Sequence, residues 1–209
     1  MTKSTLESVE TSTESAVVRP FISFWWAFYA LFAIGYPLFA MLTETTPPPY
    51  MGKVEPFVLT TELGEPMHFG NDDRPVVVNF IYTRCPDICP LLTAKMAELQ
   101  KRIPAKDALL LSISVDPNYD TPEVLKAYGT QFEADFSRWH FLTGEEKQTR
   151  AVVESFQTVF ETIPQADGNT PNILHSEQFI LVDQFGEIRG FFDDSPRGLN
   201  DLMQAVNAL

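Results

Sequence analysis

Residues 75–90 read PVVVNFIYTRCPDICP, and this stretch decides the fold. Its first half, 75–82, is a near-continuous run of β-branched and aromatic side chains, the pattern of a strand covered on both faces. Its second half holds both cysteines of the chain, Cys85 and Cys89, and ends on Pro90. A proline suits the first turn of a helix, where its missing N–H would have gone unused. Apolar residues then recur at 91, 92, 96, 99 and 103, a spacing that predicts a helix over 90–103. The next apolar run, ALLLSISV at 108–115, predicts a second buried strand. Strand, helix and strand in that order form a βαβ unit with two parallel strands.

Outward from this unit the alternation continues. On the N-terminal side, 56–61 and 65–69 flank Gly64 and read as a hairpin. On the C-terminal side, Thr121 can cap a helix whose first position is Pro122. Residues 139–143 read as a short strand, 145–160 as a third helix, and 197–209 as a final helix. Residues 178–183 and 187–192 flank a Gln184-Phe185-Gly186 turn and read as an antiparallel hairpin. The order hairpin–β–α–β–α–β–α–β–β–α implies an α/β domain, a central mixed sheet with helices on both faces. One early βαβ unit with a late hairpin and closing helix is the arrangement of a thioredoxin-like domain, here over 55–209 after an N-terminal hairpin.

The N-terminal part differs in kind. Residues 21–42, FISFWWAFYALFAIGYPLFAML, carry no Asp, Glu, Lys or Arg. As a helix they would span roughly 33 Å, enough for a bilayer core. The run is longer than a signal-peptide core and lacks a small-x-small cleavage site, so it reads as an uncleaved single transmembrane anchor. Glu7, Glu10 and Glu14 in residues 1–20 argue against a mitochondrial transit peptide, which is poor in acids. Lys3 and Arg19 precede the span and Lys53 follows it, which favours a cytoplasmic tail at 1–20. The remainder then faces the periplasm from a bacterial inner membrane. Residues 43–54, with Pro47–Pro49, read as a linker that holds the domain off the membrane.

Composition narrows the chemistry. With 15 Lys+Arg against 28 Asp+Glu, the formal net charge is −13, and nucleic acid is excluded as a partner because phosphate binding needs a basic surplus. Two cysteines make neither a disulfide-dense scaffold nor a four-thiolate zinc site. Placed where a buried strand meets a helix start, they gain from the helix dipole and its orphan N–H groups, which favour thiolate. Arg84 adds positive charge beside them. Three readings of the pair stay open: a static disulfide, a dithiol/disulfide exchange centre, or a soft-metal site suited to Cu(I). A static bridge across so short a loop gains little chain entropy. A metal site needs a third ligand, and the chain has three histidines. His68 reads as a surface residue of the early hairpin and His140 as a satisfied strand histidine. His175 lies in the loop entering the strand 178–183, which in a thioredoxin-like sheet faces the cysteine end, and completes a Cys₂His set.

The segments FIYTRCPDICPLL, SISVDPNYDTPEVLKAY, WHFLTG and HSEQFILVDQFGEIRGFF together resemble the Sco/SenC family, membrane-anchored copper proteins of cytochrome c oxidase assembly. The resemblance covers nearly all of 54–209. It implies copper bound by Cys85, Cys89 and His175, with Asp116 of the VDP segment orienting the site or completing a Cu(II) set. Many members carry an acidic residue just before the ligand histidine, where this chain has Leu174. The implied function is a copper metallochaperone taking Cu(I) from a periplasmic donor and delivering it to the CuA centre of cytochrome c oxidase subunit II. The alternatives are a thiol–disulfide reductase, supplied by a periplasmic thiol reductant, that uses Cys85 and Cys89 as a redox-active pair, and a copper-dependent redox sensor. Peroxiredoxins share the fold and a similar DP-x-x-DTP stretch, but Tyr82 stands three residues before Cys85, where their nucleophile has Thr.

Overall fold

A computed structural model of the chain describes residues 25, 26, 29, 32–36, 48–70, 72–158, 161–163, 172–174 and 178–209. The chain divides into two units, Met1–Thr46 and Pro47–Leu209. In the first, residues 25, 26, 29 and 32–36 are helical; the rest of the 21–42 stretch lies outside the described residues. Among the described residues, no helix is long and apolar enough to cross a membrane.

Among the described residues, the second unit is built on one eight-stranded sheet. In chain order the elements are β1 (Gly52–Lys53), β2 (Val58–Thr61), β3 (Pro66–His68), β4 (Val76–Ile81), α1 (Ile88–Arg102), β5 (Leu109–Ser114), α2 (Pro122–Gln131), β6 (Trp139–Thr143), α3 (Glu146–Ser155), β7 (Glu161–Ile163), β8 (Asn172–Leu174), β9 (Phe179–Val182), β10 (Glu187–Phe192) and α4 (Pro196–Asn207). The strand order is β1-β10-β9-β4-β5-β6-β2-β3, and β7 and β8 pair in a separate two-stranded sheet. β4, β5 and β6 run parallel; the other pairs of the main sheet are antiparallel. The result is the mixed α/β sheet of a thioredoxin-like domain.

Every residue of β4, β5 and β9 is buried, because helices cover these central strands on both faces. On one face Tyr128 of α2 reaches both Thr93 of α1 and the Phe141 ring of β6. On the other, Phe156 packs edge-on against Phe80 of β4, with Phe57 and Phe69 beside it. A polar row crosses the core: Trp139 Nε1 donates to Ser112 Oγ at 3.0 Å, and Ser112 donates to Asn79 Oδ1 at 2.7 Å.

Local chemistry explains most boundaries. Thr121 caps α2 by accepting the Val124 N–H, with Pro122 opening the helix; Ser195 and Pro196 do the same for α4. The third helix stops five residues short of the expected 160. Phe156, its C-cap, is drawn fully into the core, and Gln157 takes a positive φ of 58°, which no continuing helix can contain. Its side chain instead donates to the Met51 carbonyl. The antiparallel pair β7–β8 falls between α3 and β9, in a stretch for which no strand was expected. β1 falls inside the stretch read as linker: Gly52 and Lys53 pair with Ile188 and Glu187 of β10.

Candidate metal centre

β4 ends at Ile81, and the chain turns at once, with the Cys85 N–H donating to the Tyr82 carbonyl at 3.1 Å. The helix was expected from Pro90, just after both cysteines. It starts two residues earlier, at Ile88, so Cys89 lies in the first turn and Cys85 lies ahead of it in the loop. Asp87 occupies the N-cap position without a side-chain capping bond. Its usual role falls to sulfur: Cys85 Sγ accepts the Cys89 N–H at 3.5 Å, one of the donors a helix start leaves unpaired.

Both cysteines are free thiols, and their surroundings push them in opposite directions. Burial raises the Cys85 thiol, but the N–H groups of Cys89 and Asp87, with the Cys89 and Tyr82 side chains, outweigh it and hold Cys85 below the ordinary thiol range. Cys89 is fully buried; burial, and then Cys85 itself, push it far above that range. The arrangement therefore has one thiol inclined to ionise, nearer the surface, and one kept protonated beneath it. Below Cys89, Thr93 Oγ1 donates to the Cys89 carbonyl at 2.8 Å and meets the Tyr128 hydroxyl at 3.0 Å. Burial keeps that phenol neutral to well above its usual range.

The loop after β5 supplies the acids. Asp116, read as a residue orienting the site, is engaged by Arg84, whose Nε and Nη2 reach its Oδ2 at 3.0 and 2.6 Å. The Arg84 guanidinium also lies 4.3 Å from the centre of the Tyr119 ring. The positive charge expected beside the thiols is thus compensated by Asp116. Asp120, the residue just before the capping Thr121, is fully buried. It accepts from the Thr83 hydroxyl at 2.5 Å, the Thr83 N–H at 3.2 Å and the Ser114 hydroxyl at 2.5 Å. Burial raises its carboxyl, opposed by Ser114 and Thr83. The available signal was the pair of acids four apart in VDPNYD, directly after a buried strand.

His175 lies outside the described residues. His68 is exposed in β3, and His140 faces Glu62, its Nδ1 3.3 Å from Oε1, so both fit their non-ligand readings. Among the described residues, no group of three or more His, Cys, Asp or Glu side chains could hold a metal ion. The described part of the centre is the thiol pair, and two soft sulfur donors fit a soft monovalent metal such as Cu(I).

The profile of the SCO1/SenC family matches residues 47–208. The chain belongs to that family. Among its SCO1/SenC relatives, the SCO1 protein homolog of Bacillus subtilis is 32% identical over 140 residues, 65% of this chain and 71% of the relative. The copper-bound structure of Bradyrhizobium japonicum ScoI covers 74% of this chain and 99% of its own, at 26% identity and a TM-score of 0.63. BsSco, described as a member of the Sco family of cytochrome c oxidase assembly proteins with a disulfide switch, covers 79% of this chain and 97% of its own, at 26% identity and a TM-score of 0.65.

Proposed function

We propose that this SCO1/SenC protein is a membrane-tethered copper metallochaperone of cytochrome c oxidase assembly. The observation that carries the reading is the thiol pair at the start of α1, with Cys85 inclined to thiolate and supplied with a helix N–H. Cu(I) is the cargo, held by the Cys85 and Cys89 sulfurs and completed by His175. Asp116 acts through Arg84 in this scheme. Loading must remove the Cys89 proton, so affinity falls with falling pH. Transfer to the CuA centre of subunit II proceeds by ligand exchange, an incoming client thiolate displacing one ligand at a time. Residues 21–42 anchor the chain in the bacterial inner membrane, 1–20 stay in the cytoplasm, 43–54 form the linker, and 55–209 work in the periplasm. Anchoring keeps the domain at the height of a membrane-bound client and raises its effective concentration.

The test is copper stoichiometry and affinity for wild type, His175→Ala and Cys85→Ser. Wild type should bind one Cu(I), and each variant should lose affinity by about 100-fold or more, beyond the loss typical of outer-shell changes. No tight Cu(I) on wild type, or unchanged binding by His175→Ala, sinks the scheme. A reporter fused after Leu209 that is active only in the cytoplasm overturns the topology.

The opposed displacement of the two thiols supports a second reading, a thiol–disulfide reductase that keeps the client's cysteines reduced. Cys85 would attack and Cys89 would resolve. His175 separates the two: reductase turnover that survives His175→Ala, with copper binding lost, assigns the turnover to thiol exchange.

A further inference from the structure

The two residues that lead into Cys85 are each held by a separate acid from one turn. Thr83 gives its N–H and its hydroxyl to Asp120, and Arg84 gives two N–H groups to Asp116. The acids are themselves braced. Ser114 Oγ accepts the Asp116 N–H at 3.0 Å and donates to Asp120, and the Asp120 N–H donates to the Asp116 carbonyl at 2.9 Å. The turn and the cysteine loop leave the same end of the sheet, because β4 and β5 are adjacent and parallel and the Val115 N–H continues the ladder to Ile81. A fully buried carboxylate is uncommon and persists when its oxygens are satisfied; here three donors satisfy Asp120.

We propose that Asp120 is a positioning residue for the thiol pair: with Asp116 it forms a two-point clamp on Thr83 and Arg84 that holds Cys85 in its dithiol placement and opposes closure to a disulfide. A disulfide bond is only about 2.05 Å long, well inside non-bonded contact between sulfurs. Closure therefore requires one cysteine to move toward the other. Cys89 belongs to a helix packed into the core through Leu92, Met96 and Leu99, so the movement falls on the loop that carries Cys85. The clamp grips that loop at the two residues before the sulfur. Loosening it makes closure easier and the oxidised form relatively more stable. This inference rests on the thiol pair being the working centre of the protein.

The experiment equilibrates the full chain, in detergent micelles, with glutathione buffers and quantifies dithiol and disulfide by alkylation and mass. Oxidation joins Cys85 Sγ to Cys89 Sγ, consumes one glutathione disulfide, and releases two reduced glutathiones that carry the two thiol protons. Thr83→Val, which keeps the shape but removes the hydroxyl, and Asp120→Asn should each raise the oxidation constant about tenfold, about 30 mV toward the reducing side. Thr83→Ser, which restores the hydroxyl, should return to within threefold of wild type. Should Thr83→Val lose its cooperative unfolding transition, Arg84→Gln, which cuts the more exposed half of the clamp, decides by the same readout. Constants within threefold of wild type in all clamp variants, or a shift in the other direction, overturn the proposal. Cu(I) stoichiometry on the same samples keeps the two conclusions apart. A wild type that binds no Cu(I) defeats copper delivery and leaves the clamp to the glutathione result; an unmoved glutathione result defeats the clamp alone.

Discussion

Cys85 Sγ accepts a hydrogen bond from the backbone N–H of Cys89 at 3.5 Å, so one thiol of the pair caps the helix that carries the other. Capping gives the two sulfurs unequal chemistry although they are four residues apart.

The first consequence is selective alkylation. At pH 7 iodoacetamide should modify Cys85 at least about tenfold faster than Cys89, since thiolate fraction and access both favour it. Peptide mass mapping at short times checks this. Equal labelling, or preferred labelling of Cys89, contradicts the assignment.

Stability should pass through a maximum with pH. The lowered Cys85 group contributes stability that is present above the ordinary thiol value of about 8.5 and lost as pH falls through its native value. The raised Cys89 and Tyr128 groups act in the opposite sense. Above about 8.5, and again above about 10, the unfolded chain releases protons that the native state retains, so stability falls. Urea midpoints measured from pH 6 to 10.5 should show the maximum. Cys85→Ser should flatten the rising limb, and Cys89→Ala with Tyr128→Phe the falling one. Unchanged limbs in those variants would place the pH dependence elsewhere.

Gly129→Ala tests the packing of α2 on β6. An added Cβ would lie 2.7 Å from Phe141 Cε2 and 2.9 Å from Phe136 Cε1. Overpacking costs about 1–3 kcal/mol, against about 1 kcal/mol gained by replacing glycine within a helix. The expected net result is a destabilisation of about 1 kcal/mol in urea unfolding. A stabilised variant would mean that the two rings can yield.

Glu62 continues the β2–β6 pairing by side chain, its carboxylate accepting the Phe141 N–H at 2.8 Å and facing His140. Glu62→Ala leaves that N–H buried and unpaired, at a cost of about 1–3 kcal/mol. Glu62→Gln keeps an acceptor and should cost less than half as much. Equal losses in the two variants would assign the effect to the charge instead.

The central strands and the capped start of α2 were legible because burial and capping act on neighbouring residues. Apolar runs at 76–81 and 109–114, and Thr121 before Pro122, each carry their signal within a few positions. What was not legible depended on distant partners. β1 is two residues long and exists by pairing with β10. α3 ends where Phe156 finds the Phe80 ring. Asp120 lies in a polar stretch, and its burial follows only from β4 and β5 being neighbours. The thiol pair itself was plain in CPDIC, whereas the placement of Cys89 inside the first helical turn was not. Pro90 marks a helix start, and the start can lie up to a turn earlier.

Among the described residues, the eight-stranded sheet ends on β1, of two residues, at one edge and on β3, of three residues beginning with Pro66, at the other. Edges so short, one of them bearing Lys53 and the other a residue without an N–H, offer little template for a foreign strand. The long apolar strands stay inside, so copies of this protein crowded together should resist joining sheet to sheet into aggregates.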